Sequence, residues 1–334
     1  MDLTVIWAFV IAIAIAAYVV MDGFDLGIGI LFPFFRVGKE RDQAMNAIAP
    51  VWDGNETWLV LGGGGLMAAF PLAYAIILPA LYAPLIAMLL GLVFRGVAFE
   101  FRWRDPAHRK WWDAAFCIGS VVATIGQGIT LGALLQGITV DGRAYGGGRW
   151  DWVTPFSLLT GASLVAGYAL LGSTWLIWKT EGELQADARR FARFSLPAVL
   201  VAFGAVSLAT PFVEPKFWER WFSSPGLLVT VPMPIIVMAL WLVTWASIRS
   251  HKREYVPFLG SLLLFLMAMI GLGISIWPDV IPGRVTIWDA AAPYESQIFM
   301  LIGAIILVPV IAIYTAWAYW VFRGKVGEDG YHEH

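Results

Sequence analysis

Charge is scarce in this chain: Asp, Glu, Lys and Arg make up 14% of its 334 residues, against about 25% in an average soluble domain. That deficit excludes an ordinary water-soluble globular protein. Cysteine is nearly absent. The single Cys117 rules out an internal disulfide framework and, set in an apolar run, reads as a small buried hydrophobe. The four histidines (His108, His251, His332 and His334) all fall outside the apolar runs. A membrane cytochrome takes its haem ligand from a histidine within a helix, so none is on offer here. No Cys/His cluster has the spacing of a metal site, and methionines within the apolar runs (Met67, Met88, Met238, Met267) read as packing. A net charge of −2 gives no pull toward nucleic acid. The glycines Gly62–Gly65 lack the Lys-Ser/Thr that completes a phosphate loop and suit close helix packing instead. Met1-Asp2-Leu3 shows no basic leader and no small-residue cleavage site, so Leu3 onward reads as a mature spanning helix.

What the chain has in abundance is apolar sequence, 59% of all residues. A spanning helix needs about 20 mostly apolar residues. Nine segments qualify: 3–32, 56–77, 79–98, 114–136, 155–178, 194–212, 227–248, 256–277 and 298–322. The first is clean only through 21, but apolar sequence resumes beyond Asp22 and Asp25 and reaches Phe35. These are continuous runs, not the ten-residue alternations of a membrane β-barrel, which predicts an all-α integral membrane protein in one transmembrane unit, 1–323. A polar tail, 324–334, follows and reads as mobile. The segment Asp141–Trp152, rich in glycine, reads as a flexible turn. Trp-Asp recurs at 52–53, 112–113 and 288–289 without matching flanks. It marks no repeat, and suits the interfacial belt expected of 18 tryptophans.

Lysine and arginine set the orientation. With the N-terminus outside, 17 of the 22 fall in inside segments and 5 in outside loops. The split predicts a cytoplasmic C-terminus. It also brings the end of the first helix (Asp22, Asp25), the start of the second (Asp53, Glu56) and the end of the third (Arg95, Glu100) to the cytoplasmic leaflet. Asp22 lies 19 residues past Leu3, about 28 Å along a helix, near the far edge of the hydrocarbon.

Carboxylates at membrane depth cost roughly 2.5–3.5 kcal/mol even on lenient scales. Asp22 and Asp25, three apart, share a helical face. Either they hold exchangeable protons in a low-dielectric setting, or they mark where the first helix leaves the bilayer. Gly23 between them permits a close backbone approach or a local break. Asp53 follows Pro50 at a good N-cap position with Glu56 three residues on, so capping and proton handling both fit. Arg95 either snorkels to the surface or pairs with one of the acids. Gln127 and Gln136 suit interhelical hydrogen bonds.

Met21-Asp22-Gly23-Phe24-Asp25-Leu26-Gly27-Ile28-Gly29, Ala49-Pro50-Val51-Trp52-Asp53-Gly54-Asn55-Glu56-Thr57-Trp58 and Phe94-Arg95 resemble subunit II of the bacterial cytochrome bd-type quinol oxidases. Leu134-Leu135-Gln136-Gly137 and Trp288-Asp289-Ala290 fit as well, so the resemblance spans nearly the whole chain. The short length and the first motif point to the cyanide-insensitive branch. The resemblance implies nine helices, two four-helix bundles plus one helix, paired as a heterodimer with a homologous subunit I in the bacterial cytoplasmic (inner) membrane. Subunit I would hold two b-type haems, a d-type or third b-type haem, and the quinol loop. This chain would hold no haem. The reaction implied is quinol oxidation coupled to O2 reduction to water, with protons drawn from the cytoplasm.

Carried over by position, the proton-path candidates are Asp53 with Trp52, Glu100 beyond Arg95, and Asp22 and Asp25. Glu100 stands where the family pattern has aspartate. Trp58 would sit near a lateral oxygen entrance. A structural quinone or lipid and a small third subunit occur in some relatives, with no motif to place them here. The alternative from another class is a proton-coupled secondary transporter acting alone. Intramembrane acids suit it, but nine spans without a repeat suit it poorly.

Overall fold

Asp2 begins the architecture: its carboxylate accepts a hydrogen bond from the Thr4 backbone N–H at 2.9 Å and caps helix α1, Leu3–Leu31. The computed structural model describes residues 2–224 and 226–326. Helix α1 runs unbroken through Asp22, Gly23 and Asp25, so the acids do not mark its exit. It ends where Pro33 enters the short turn Phe32–Phe34. Helix α2 (Lys39–Asn46) follows, then α3 (Trp52–Ala69) and α4 (Pro71–Ala80). The segment read as one span over 56–77 therefore begins earlier and bends by 119° at Phe70. Phe70 sits at φ −129°, ψ 62°, away from helical values, as a residue preceding proline prefers.

The remaining long helices are α5 (Tyr82–Arg104), α6 (Arg109–Leu135), α7 (Pro155–Lys179) and α8 (Gly182–Val213). After the short α9 (Pro215–Phe222) and α10 (Leu227–Thr230) come α11 (Pro232–Arg249) and α12 (Val256–Ile276). A small α13 (Ile287–Ala290) precedes α14 (Tyr294–Val321). Among the described residues, eight helices are long and apolar enough to cross a membrane, or nine when α3 and α4 count as one bent span. Helix α8 starts well before residue 194 because Leu184, Ala188 and Ala192 bury one face of an otherwise polar stretch. Two hairpins complete the chain, β1 (Val140–Asp141) with β2 (Ala144–Tyr145) and β3 (Asp279–Ile281) with β4 (Val285–Thr286). The first corrects the reading of Asp141–Trp152 as a loose turn. There the Tyr145 hydroxyl donates to the Gly148 carbonyl at 2.6 Å, and Asp151 accepts from the Gly148 N–H at 2.8 Å.

Helices in lipid gain nothing from hiding one apolar surface against another, so close backbone approach matters more. A Cβ at Gly27 would fall 1.8 Å from the Tyr168 carbonyl oxygen, and one at Gly172 would fall 2.5 Å from the Gly27 carbonyl carbon. Only glycine lets α1 and α7 cross there. Gly91 and Gly119 do the same for α5 on α6. Around these crossings Phe24 stacks on Trp175 with centroids 4.3 Å apart, inside the main core. By contrast, the most apolar stretch of α14 buries nothing, and Phe299, Ile302, Ile313 and Trp317 stand exposed along it.

The first residues after α14 are docked rather than loose. Lys179 Nζ donates to the Gly324 carbonyl at 2.8 Å, the Val326 N–H donates to the Lys179 carbonyl at 2.8 Å, and Lys325 reaches Glu254 at 2.5 Å. The rest of the polar tail, 327–334, lies outside the described residues.

Candidate functional site

Spacings of four and three residues put Tyr18, Asp22 and Asp25 on neighbouring positions of one side of α1. Both aspartates are 0% exposed. Gly23 between them leaves room for Tyr168, whose ring would lie 2.7 Å from any added Cβ. The close-approach reading of that glycine holds, and the helix does not break.

Arg95 enters from α5 and is 1% exposed. Its Nη1 donates to Asp22 Oδ1 at 2.6 Å, and its Nη2 donates to Glu56 Oε1 at the start of α3. Arg95 therefore pairs inward; it does not snorkel. Asn55, next to Glu56, donates through Nδ2 to Asp25 Oδ2 at 2.7 Å and accepts from the Tyr319 hydroxyl of α14 at 2.9 Å. On the far side, the Tyr168 hydroxyl donates to Gln127 Oε1 at 2.7 Å, and Gln127 Nε2 donates to the Tyr18 hydroxyl at 2.6 Å. Tyr18 in turn lies beside Asp22.

Six helices thus converge on one polar line. It runs from Tyr168 through Gln127, Tyr18, Asp22 and Arg95 to Glu56, with Asp25 and Asn55 as a branch. Glu56, 28% exposed at its side chain, is where the line meets the surface. Two carboxyls, Asp22 and Glu56, share one guanidinium, with a third, Asp25, one turn from Asp22 and held by Asn55. Burying an ion without a partner costs several kcal/mol, so the charge balance of this site depends on how many protons it holds. Asp22 Oδ2, Asp25 Oδ1 and Arg95 Nε have no hydrogen-bond partner among the described residues. They are free to accept or give one more bond.

Asp22, Asp25, Glu56 and Arg95 are brought together; the other sequence candidates are not. Asp53 is exposed and lies within the first turn of α3, whose N-cap is Val51 with no side-chain cap bond. The capping reading of Asp53 fails because the helix begins two residues earlier than that cap requires. Glu100 is 55% exposed at its side chain and pairs with Arg104, one turn on, at 3.6 Å. Both acids flank a stacked pair, Trp52 on Phe99, with centroids 5.2 Å apart. They therefore border the cluster without joining it. Trp58 is buried against Ala14 and Tyr18, with its indole N–H unpartnered among the described residues.

Gln127 forms the interhelical bridge its position suggests. Gln136 instead accepts from the Thr154 hydroxyl at 2.5 Å, beside the cap of α7. Tyr18, Tyr168 and Tyr319 gave no sequence signal, because a tyrosine in an apolar run is indistinguishable from packing. Asn55 was visible only as part of a motif. A second ionic group also escaped notice. Arg102, 1% exposed, donates through Nε to Asp113 at 2.5 Å, where Arg41 also reaches at 2.8 Å. Asp42 joins Arg102 and Arg109, tying α2 to α5 and α6. His108 lies exposed at the start of a span and His251 exposed between spans, and His332 and His334 lie outside the described residues. Among the described residues no group of His, Cys, Asp and Glu is arranged to hold a metal ion.

Comparison with known proteins covers nearly the full length. Residues 3–322 match the family described as cytochrome bd terminal oxidase subunit II. Cytochrome bd-I ubiquinol oxidase subunit 2 of Escherichia coli (strain K12) is 31% identical over 363 residues, covering 97% of this chain and 95% of that one. Cytochrome bd ubiquinol oxidase subunit 2 of Bacillus subtilis (strain 168) is 29% identical over 336 residues, covering 96% of each. In fold, the chain is similar to the bd oxidase structure from Geobacillus thermodenitrificans, with TM-score 0.80 at 17% identity, covering 96% of this chain and 99% of that one.

Proposed function

Because this chain belongs to the cytochrome bd terminal oxidase subunit II family, a family of multi-pass subunits of the bacterial cytoplasmic membrane, we propose that it is the haem-free partner of a haem-bearing subunit I. In that complex it stabilises subunit I and leads protons from the cytoplasmic side toward the site where O2 is reduced with electrons from quinol. The residues of this chain do not suit a haem, since no histidine lies within the apolar interior of a span, and His108 stands exposed at the very start of one. That supports haem ligation by subunit I, and no step of the reaction runs through a haem held here.

The observation that carries the proton role is the site in which Asp22 and Glu56 share Arg95, with Asp25 buried beside Asp22 and bonded to Asn55. A proton relay needs groups that exchange protons without bulk water, joined by hydrogen bonds, with one end open. Glu56 supplies the open end. Asp53 and Glu100, exposed beside it, are the collecting acids at the cytoplasmic surface, the orientation that the lysine and arginine distribution supports. Arg95 keeps negative charge tolerable in the interior, and its paired contacts hold Asp22 and Glu56 at a fixed separation. Asp25 is the inner acceptor, held by Asn55. Trp58, buried beside Tyr18, is proposed to border an oxygen entrance once subunit I is in place.

The test uses the assembled two-subunit complex. Glu56→Gln and Asp53→Asn are expected to slow quinol-driven oxygen consumption, with reduced-minus-oxidised haem spectra unchanged. Wild-type turnover in both, with full assembly, would overturn the relay. A colourless complex lacking a stoichiometric second subunit would overturn the haem-bearing partner.

A further inference from the structure

A second polar site lies where α7, α11 and α14 end and α12 begins, away from the carboxyl cluster. It is a cavity of about 400 Å³. Four permanent cations line it, Lys252, Arg253, Arg323 and Lys325, against one carboxylate, Glu254. That carboxylate is already answered, by Lys325 at 2.5 Å and Arg189 at 3.5 Å, and Lys325 also pairs with the exposed Glu181 at 3.2 Å. Arg323 spends one N–H on the Trp320 carbonyl at 2.8 Å. The side chains of Lys252 and Arg253 have no hydrogen bond or ion pair among the described residues. The cavity therefore carries surplus positive charge with donors unused.

The start of α12 adds the partial positive charge of a helix N-terminus. Trp178 and Tyr255 form aromatic walls, as side chains do at a membrane–water boundary. Directly beside the cavity, exposed apolar side chains continue along the helices: Leu259 on α12, and Trp317, Trp320 and Val321 on α14. A polar anionic head fits the cations while chains attached to it lie along those faces.

We propose that this cavity binds the phosphate headgroup of an anionic phospholipid. Basic recesses between spanning helices on the cytoplasmic side suit such headgroups. A bound lipid would bridge α14, which is otherwise poorly packed, to α7 and α12. This binding is independent of the proton path.

The test strips lipid from the purified two-subunit complex and reconstitutes it in nanodiscs of phosphatidylglycerol or phosphatidylcholine. Lipid retained after re-extraction is then counted by native mass spectrometry. Wild type is expected to keep phosphatidylglycerol and not phosphatidylcholine. Lys252→Gln with Arg253→Gln, neither of which removes a protein contact, should weaken retention about thirtyfold, each cation contributing about fivefold. Equal retention by wild type and double variant would overturn the proposal. So would displacement of the lipid by millimolar glycerol phosphate, which would make this a soluble-phosphate site. A chain ending at Val326 tests whether the chain's own Glu328, Asp329 and Glu333 compete. Unchanged retention supports the lipid, and a large gain would assign the cavity to those acids instead.

Discussion

Arg95 on α5 donates to Asp22 on α1 at 2.6 Å, with both side chains sealed from solvent. An ion pair so placed adds little net stability over an apolar pair, but losing one partner strands the other charge. Arg95→Leu is therefore expected to cost about 3–5 kcal/mol and to lower the thermal midpoint of the solubilised complex sharply. Arg95→Leu with Asp22→Leu should recover much of that loss. Arg95→Lys should fall between, since an ammonium lacks the planar fork that serves Asp22 and Glu56 together. Equal melting of wild type and Arg95→Leu would show that the pair is not formed.

The Gly27–Gly172 crossing makes a sharper structural test. Gly27→Ala puts a methyl group onto the Tyr168 carbonyl, a backbone atom that moves only with α7. Overpacking of this kind costs about 1–3 kcal/mol or more and should reduce yield of the assembled complex. Gly63→Ala, with nothing within 4 Å of the new methyl, should stay within about 0.5 kcal/mol of wild type. Differential scanning fluorimetry of both variants separates the two expectations.

Docking of residues 322–326 should depend on pH. Burial works against the Glu254 carboxylate, yet hydrogen bonds from Lys325 and Gln185 and the nearby Lys325 and Arg189 charges hold it below its ordinary value. Its contribution is present above the unfolded-state pKa, about 4.3, and is lost as pH falls through the lower folded-state value. Lys325 behaves in the opposite sense. Desolvation is outweighed by Glu254 and Glu181, which push it up, so its contribution is lost only as pH rises through that raised value. Docking should therefore hold across neutral pH and loosen on acidification. Hydrogen exchange at the Val326 amide, bonded to the Lys179 carbonyl at 2.8 Å, reads this directly. Lys325→Ala should speed exchange at pH 7.

Asp53→Asn and Glu100→Gln should be nearly silent in stability, within about 0.5 kcal/mol, because both are exposed surface groups. Any loss of oxygen consumption in these variants then reports on function. Unchanged melting with slowed turnover is the expected pattern; lowered melting would signal a structural role.

Much of this was readable from the residues. Long apolar runs fix an all-helical membrane protein, and acids among them single out Asp22, Asp25 and Arg95. The limits have physical causes. Hydropathy cannot see that Phe70, ahead of Pro71, bends the second span, nor that the polar stretch from Gly182 continues as helix on a narrow buried face. Sequence spacing suggested that Asp53 and Glu100 shared the level and fate of the other acids. Exposure separates them, because a helix turns its neighbours to different sides: Asp53 faces out where Asn55 faces Asp25 and Glu56 faces the arginine. Tyrosines and Asn55 entered the network through contacts between helices distant in sequence, which no local pattern encodes.

The proposed relay through the buried carboxyls is tested most directly by proton uptake at the face that the lysine and arginine distribution predicts to be cytoplasmic. Reduced complex in sealed vesicles is given a pulse of O2 while a pH-sensitive dye follows the medium. With Asp25→Asn, which keeps shape but cannot hold an exchangeable proton, uptake should slow about a hundredfold with haem spectra intact. Uptake at the wild-type rate in that variant would contradict the account.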